Sequence, residues 1–321
     1  MVFQLRNLFA VAALALAISF VPQQVSAAGD DELNKQLLSA VSKGNLETTE
    51  RLLNEGANPD VTGDFGFFPL IYAAQDSNLK MTKLLIENGA EADNKTSDGY
   101  TPLIAAAEHG SVRITALLLS SGANPQTKTR KGEDAFMFAV RAGFEDVLSM
   151  LIGYGASVNT ADKHGRTALM NAISNDQYHV MQMLLMAGAD PNVESADSST
   201  PLMVAAEKAD VGFAKALLLR KADVNAADSS GAAPLHIAAA DGNVDVALEL
   251  LMSGADKELR DSDGWTPLMS AAFSGNGSIV HILIEHGADL TAKNNRGKTA
   301  LDLAKMKRHE GVISQLSKGA Q

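Results

Sequence analysis

Residues 261–277 read DSDGWTPLMSAAFSGNG, and they hold the only tryptophan of the chain. Asp263-Gly264 predicts a tight turn. Thr266 can accept a backbone N–H at a helix start, and Pro267 suits the first helical position, where the missing N–H has no helical partner to lose. A short helix then presents Leu268, Ala271 and Ala272 to neighbours and stops near Gly275, which takes left-handed backbone without strain. Beyond it Ile279, Ile282, Leu283 and Ile284 predict a second helix ending at His286-Gly287. One turn and two short helices bury too little apolar surface to stand alone, so this unit needs neighbours built like itself.

Those neighbours are present. Stepping by 33 residues from Leu268 gives Leu37, Leu70, Leu103, Phe136, Leu169, Leu202, Leu235, Leu268 and Leu301, without one insertion. Three residues after each anchor stands Ala, from Ala40 to Ala304, and fifteen after it stands Leu, from Leu52 to Leu316. Nine matches at each of two further positions define nine units, and the repeated Ala lets helices approach closely.

The bulk composition agrees with an ordered array. At 321 residues the chain exceeds a usual single core, and 46% hydrophobic residues with 20% charged ones argue against disorder. A net charge of -11 repels phosphate backbones, so nucleic acid is not an expected partner. There is no Cys. Disulfides, zinc-thiolate sites and cysteine nucleophiles are thereby excluded.

The N-terminus differs from the rest. Arg6, an apolar run from Leu8 to Val21 and then Val25-Ser26-Ala27 have the three-part pattern of a secretory signal peptide over residues 1–27. The alternative is a retained anchor, although the run is shorter than the ~20 residues of a spanning helix. Cleavage after Ala27 predicts an exported protein with no stable membrane insertion, periplasmic or fully secreted.

The period, the G-x-TPL-x-x-AA-x-x-G pattern and the recurrent GA-D/N-x-N ending resemble ankyrin repeats, most fully in GAAPLHIAAADGNVDVALELLMSGAD at 231–256. The resemblance implies an all-α repeat solenoid of about nine helix-turn-helix units with short finger turns. Residues 28–321 then form the repeat domain, with an N-terminal cap at 31–62, seven internal repeats at 63–293 and a C-terminal cap at 294–321. Asp302, Lys305 and Ser317 suit a last unit that faces water. The resemblance further implies a non-enzymatic scaffold that binds another protein through finger tips and a concave helix face. The residue before the TPL-type Thr is one such contact position. It reads Phe67, Tyr100, Glu133, Arg166, Ser199, Ala232, Trp265 and Lys298 along the chain.

Aromatic residues mark both flanks of that series. Trp265 and Phe273 occupy two concave positions of one unit and form a candidate binding patch; the alternative is that Trp265 is a spacer between fingers. Phe65, Phe67 and Tyr100 mark the other flank, beside Phe68, which replaces the N-capping Thr and is expected to pack inward. Between the flanks lies a basic run: Lys128, Arg130, Lys131, Arg141, Lys163, His164 and Arg166. It either steers an acidic partner or keeps the finger tips solvated.

Catalytic motifs dissolve on inspection. Ser77-Asn78-Leu79-Lys80 has S-x-x-K spacing without S-D-N or K-T-G, and Asp64-Phe65-Gly66 sits in a repeat turn. His281 and His286 are five apart and share no helix face for a metal, and His236 is expected to make a structural hydrogen bond. No catalytic residue, metal site or cofactor is therefore expected. The function implied is partner binding in the cell envelope, with a secreted effector or inhibitor as the alternative and a hydrolase as a more distant one. The oligomeric state is open. One unit stands apart: around Leu202, Ser198, Ala209 and Lys221 replace three glycines common elsewhere, predicting locally strained turns and a weak point in the array.

Overall fold

A computed structural model describes residues 27–63 and 66–319. Within them, eighteen helices run from Ala27–Ser42 to Glu310–Gly319 and fall into nine sequential pairs, one per 33-residue unit. The unit of the opening stretch shows why. Thr266 Oγ1 accepts from Met269 N at 3.4 Å, and Pro267 opens a helix over Pro267–Ser274. Gly275 closes that helix in left-handed backbone at φ 86°. The second helix spans Gly277–Glu285, as its apolar spacing predicts.

Stacking follows the repeat. First helices pack on first helices of the next unit throughout, second helices on second helices in most steps, and each pair also packs internally. The periodic residues make the core: the anchors from Leu37 to Leu268 are at most 1% exposed, and every repeated Leu from Leu52 to Leu316 is buried. Leu301, the last anchor, is only half-buried. Asp302 in that unit also closes a capping box, accepting from Thr299 N at 3.0 Å while Thr299 Oγ1 accepts from Asp302 N at 3.2 Å.

The fingers form their own ladder. Backbone N–H groups of Arg130, Lys163, Ala196, Ser229, Ser262 and Asn295 each donate to a carbonyl 32 residues earlier, at 2.7–3.0 Å. This explains the finger glycines. At Gly99 a Cβ would lie 2.5 Å from the Lys128 carbonyl oxygen, and at Gly231 it would lie 2.8 Å from Ser262 N. Glycine there serves both the positive φ and the close approach of the next finger.

Candidate protein-docking face

In four units the finger-base residue meets the end of the first helix, eight residues on. Tyr100 Oη donates to Glu108 at 2.5 Å, Arg141 Nη1 to Glu133 at 2.6 Å and Arg166 Nη2 to Ser174 at 2.8 Å. In the Leu268 unit the same register brings Trp265 and Phe273 edge to face, with ring centroids 5.0 Å apart. One geometric position thus carries aromatic, anionic, cationic or small chemistry depending on the unit. The register follows from the fold: the finger returns to the helix N-terminus at the TPL-type Thr, and two helical turns later the chain is again beside it.

At the N-terminal flank these pairs join into an aromatic ladder. Phe67 stacks on Tyr100 at 5.9 Å and meets Tyr72 edge on at 5.7 Å, while Tyr100 meets Phe138 at 5.9 Å. The Arg141 guanidinium lies 4.4 Å over the Phe138 ring. Phe67, Tyr100, Phe138 and Arg141 line a groove of about 610 Å³ that also carries Asp98, Arg130 and Lys131. Burial and then the neighbouring Glu108 carboxylate push the Tyr100 phenol well above its ordinary range, so it stays a neutral donor. Phe138 and Tyr72 are not legible in the sequence because they lie outside the repeat positions expected to make contacts; only in space does Phe138 reach Tyr100 and Tyr72 reach Phe67. Phe65 lies outside the described residues, as do residues 1–26 with the expected signal sequence. Phe68 is half-buried against the core, as expected, and its side chain makes no capping bond.

The basic run is largely engaged. Arg130 pairs with Asp98 at 3.0 Å, Arg141 with Glu133, and Lys128 Nζ donates to the Ala161 carbonyl at 2.8 Å. Lys131 and Lys163 make no ion pair within 4 Å among the described residues, and their finger positions are exposed. The run therefore keeps four cations without an acidic partner within 4 Å among the described residues, Lys128, Lys131, Lys163 and Arg166, beside the two neutralised arginines, and is less positive than its sequence reads.

At the other flank, Trp265 is half-buried and its backbone is held from two sides. Trp265 N donates to Asp261 Oδ1 at 2.7 Å, and its carbonyl accepts from His236 Nε2 at 3.0 Å. His236 Nδ1 in turn accepts from Ala233 N at 3.2 Å, which supplies a cap that the Ala233 side chain lacks. Both ring nitrogens are used, and burial holds the imidazole below its ordinary pKa. His236 is thus structural, as expected, and it also fixes the tryptophan of the next finger. Lys307 Nζ sits 4.3 Å over the Phe273 ring and widens the patch; its distance in sequence concealed it.

Between the flanks Glu207 has its pKa raised, first by burial and then by Asp241. Of the rejected motifs, Ser77 Oγ hydrogen-bonds Ser111 Oγ at a helix end. No group of three or more His, Asp or Glu among the described residues could hold a metal, and no described helix is long and apolar enough to cross a membrane.

The family model described as ankyrin repeats (3 copies) matches residues 37–129, 117–195, 187–261 and 247–321. No curated protein matches the chain. The matches join into one continuous stretch that coincides with the helix pairs and finger ladder, so the chain belongs to the ankyrin repeat family and carries its protein-interaction module.

Proposed function

We propose that this protein is a non-enzymatic scaffold of the cell envelope that docks a partner protein on its finger bases and first-helix ends. The observation that carries this reading is that one repeat position, the finger base, stacks Phe67 on Tyr100 at one flank and sets Trp265 against Phe273 at the other. Half-buried aromatics on a preformed surface give large contact area with little side-chain ordering, the profile of binding hot spots. Arg141 over Phe138 and Lys307 over Phe273 add a cation beside each patch. Export to the periplasm is proposed from Arg6, the apolar run and Val25-Ser26-Ala27 alone.

Capture of partners from envelope extract on the immobilised protein tests the docking face. Trp265→Ala with Phe273→Ala is expected to weaken partner affinity by ~2 kcal/mol or more with folding retained. Unchanged binding with a large fall in melting temperature would show instead that the pair is a packing spacer. An N-terminal mass beginning at Ala28 supports export, and an intact Met1 on membrane-bound protein overturns it.

A further inference from the structure

Seventeen residues after each anchor, at the end of the second helix, the side chain is exposed in all nine units: Asn54, Glu87, Ser120, Gly153, Met186, Leu219, Met252, Glu285 and Lys318. Six of these are polar, charged or glycine. Three consecutive ones are large and apolar, with Met186 69%, Leu219 84% and Met252 79% exposed. They lie on Tyr178–Met186, Val211–Leu219 and Val244–Met252; the last two helices pack on each other, and the first reaches the second through Tyr178 on Phe213, with ring centroids 5.6 Å apart. Leu219 stands as a ridge between two grooves of about 300 and 370 Å³. A stripe confined to three neighbouring units, at a position where the fold makes no use of apolar groups, calls for a cover.

We infer that the Met186–Leu219–Met252 stripe is a self-association surface that pairs two copies of this chain about a two-fold axis at Leu219. The order Met–Leu–Met reads the same from either end, so a half-turn about Leu219 sets Met186 against the partner copy's Met252 and each Leu219 against its equivalent. That is the self-complementarity an isologous contact requires. Charge points to the same occupant. The chain carries -11 and repels its own copy over most of its surface. Along these grooves the only acid is Glu249, which faces Lys215 at 3.6 Å, and Arg220 Nη1 is bound to the Leu185 carbonyl at 3.0 Å. Two copies therefore meet here without opposed carboxylates. Three nine-residue helices present a face on the order of 400 Å². Stable interfaces bury about 800 Å² per partner. The pairing is accordingly weak and reversible, with dimer forming between roughly 10 and 500 µM.

Sedimentation velocity over that range, on the full chain and its variants, tests the inference. Leu219→Glu sets two carboxylates on the axis and is expected to weaken association at least tenfold; association through any other segment is common to both proteins. Met186→Lys combined with Met252→Glu opposes unlike charges in the two-fold arrangement, so that protein is expected to dimerise at least as well as the parent and to lose the dimer in high salt. A parent that stays monomeric at 500 µM overturns the inference, as does a Leu219→Glu protein that associates like the parent. A charge-paired double variant that folds but does not dimerise overturns the two-fold geometry. Leu219-dependent binding to anionic vesicles by a monomeric parent would assign the stripe to a lipid surface instead.

Discussion

The Leu202 and Leu235 units follow one backbone path on different residues. The Leu235 unit turns at Gly231, Gly242 and Gly254, with φ of 80°, 82° and 90°. The Leu202 unit turns at Ser198, Ala209 and Lys221, still left-handed, with φ of 58°, 59° and 65°. Each non-glycine turn has moved toward the left-handed minimum near 57° that an L-residue tolerates. The strain expected from the sequence is therefore present, and the backbone has shifted to limit it. Side chains between units tie down what the glycines would have allowed to relax. Lys208 Nζ reaches Asp176 at 2.7 Å and the Ser174 carbonyl at 3.2 Å, and Asn192 Nδ2 donates to the Lys221 carbonyl at 3.1 Å. The bond from Asn192 is not peculiar to this unit, since Asn225 Nδ2 donates to the Gly254 carbonyl at 3.4 Å in the glycine-built one; what Lys208 adds is a tie to the preceding unit. Ser77, Asp176 and Arg308 are further left-handed non-glycine residues in other units, one in each, but only the Leu202 unit has three.

The largest effect expected from this contrast comes from moving a serine into the glycine-built unit. Gly231→Ser puts a Cβ 2.8 Å from Ser262 N at a φ of 80°, where the finger bond from Ser262 N to the Ser230 carbonyl must lengthen. A loss of about 2 kcal/mol or more is expected, combining left-handed strain and a backbone clash with a weakened finger bond. Chemical denaturation measures it. A loss under about 0.5 kcal/mol would mean that any finger tolerates serine and the two units do not differ in kind.

A smaller and opposite effect is expected in the Leu202 unit. Lys221→Gly should stabilise the protein by about 1 kcal/mol, since glycine carries no Cβ penalty at a helix C-terminus. Because solenoid stability is close to a sum of unit and interface terms, the gain should stay local. Hydrogen exchange on the parent should show lower protection over residues 195–226 than in the units on either side, rising in the variant. Equal protection across the three units would show that the inter-unit bonds have removed the deficit, leaving no hinge there.

The smallest difference depends on pH. Burial holds the His236 imidazole below the ordinary histidine pKa, so in mildly acid solution the unfolded chain binds more protons than the folded one. Its contribution to stability is complete above about pH 6.5 and is lost as pH falls toward the depressed folded value. The Leu202 unit has Met203 at the equivalent position. Acidification from pH 7.5 to 5 should therefore lower protection in the Leu235 unit and at Trp265, and cause no such loss in the Leu202 unit, where the raised Glu207 carboxyl takes up its proton in the folded state and acts in the opposite direction. His236→Met should remove the response; its persistence would place the titration elsewhere.

The repeat length, the helix pairs, the caps and the positions of the left-handed turns are all legible in the sequence. Each depends on a residue's own conformational preference or on a period that short-range chemistry imposes: Thr266 before Pro267, glycine at the turns, Leu at every thirty-third place. What only the tertiary structure decided is which side chains of different units meet. Phe138 joins Tyr100, Lys307 covers Phe273, Arg130 is neutralised by Asp98, and Met186, Leu219 and Met252 line up outside the core. Those contacts depend on stacking, which brings residues about 33 apart to within a few ångströms and sets their relative directions. A local preference can say that a side chain lies on a surface. The neighbour that neutralises it, stacks on it or leaves it bare is set by the next unit's backbone, and that is a property of the folded array.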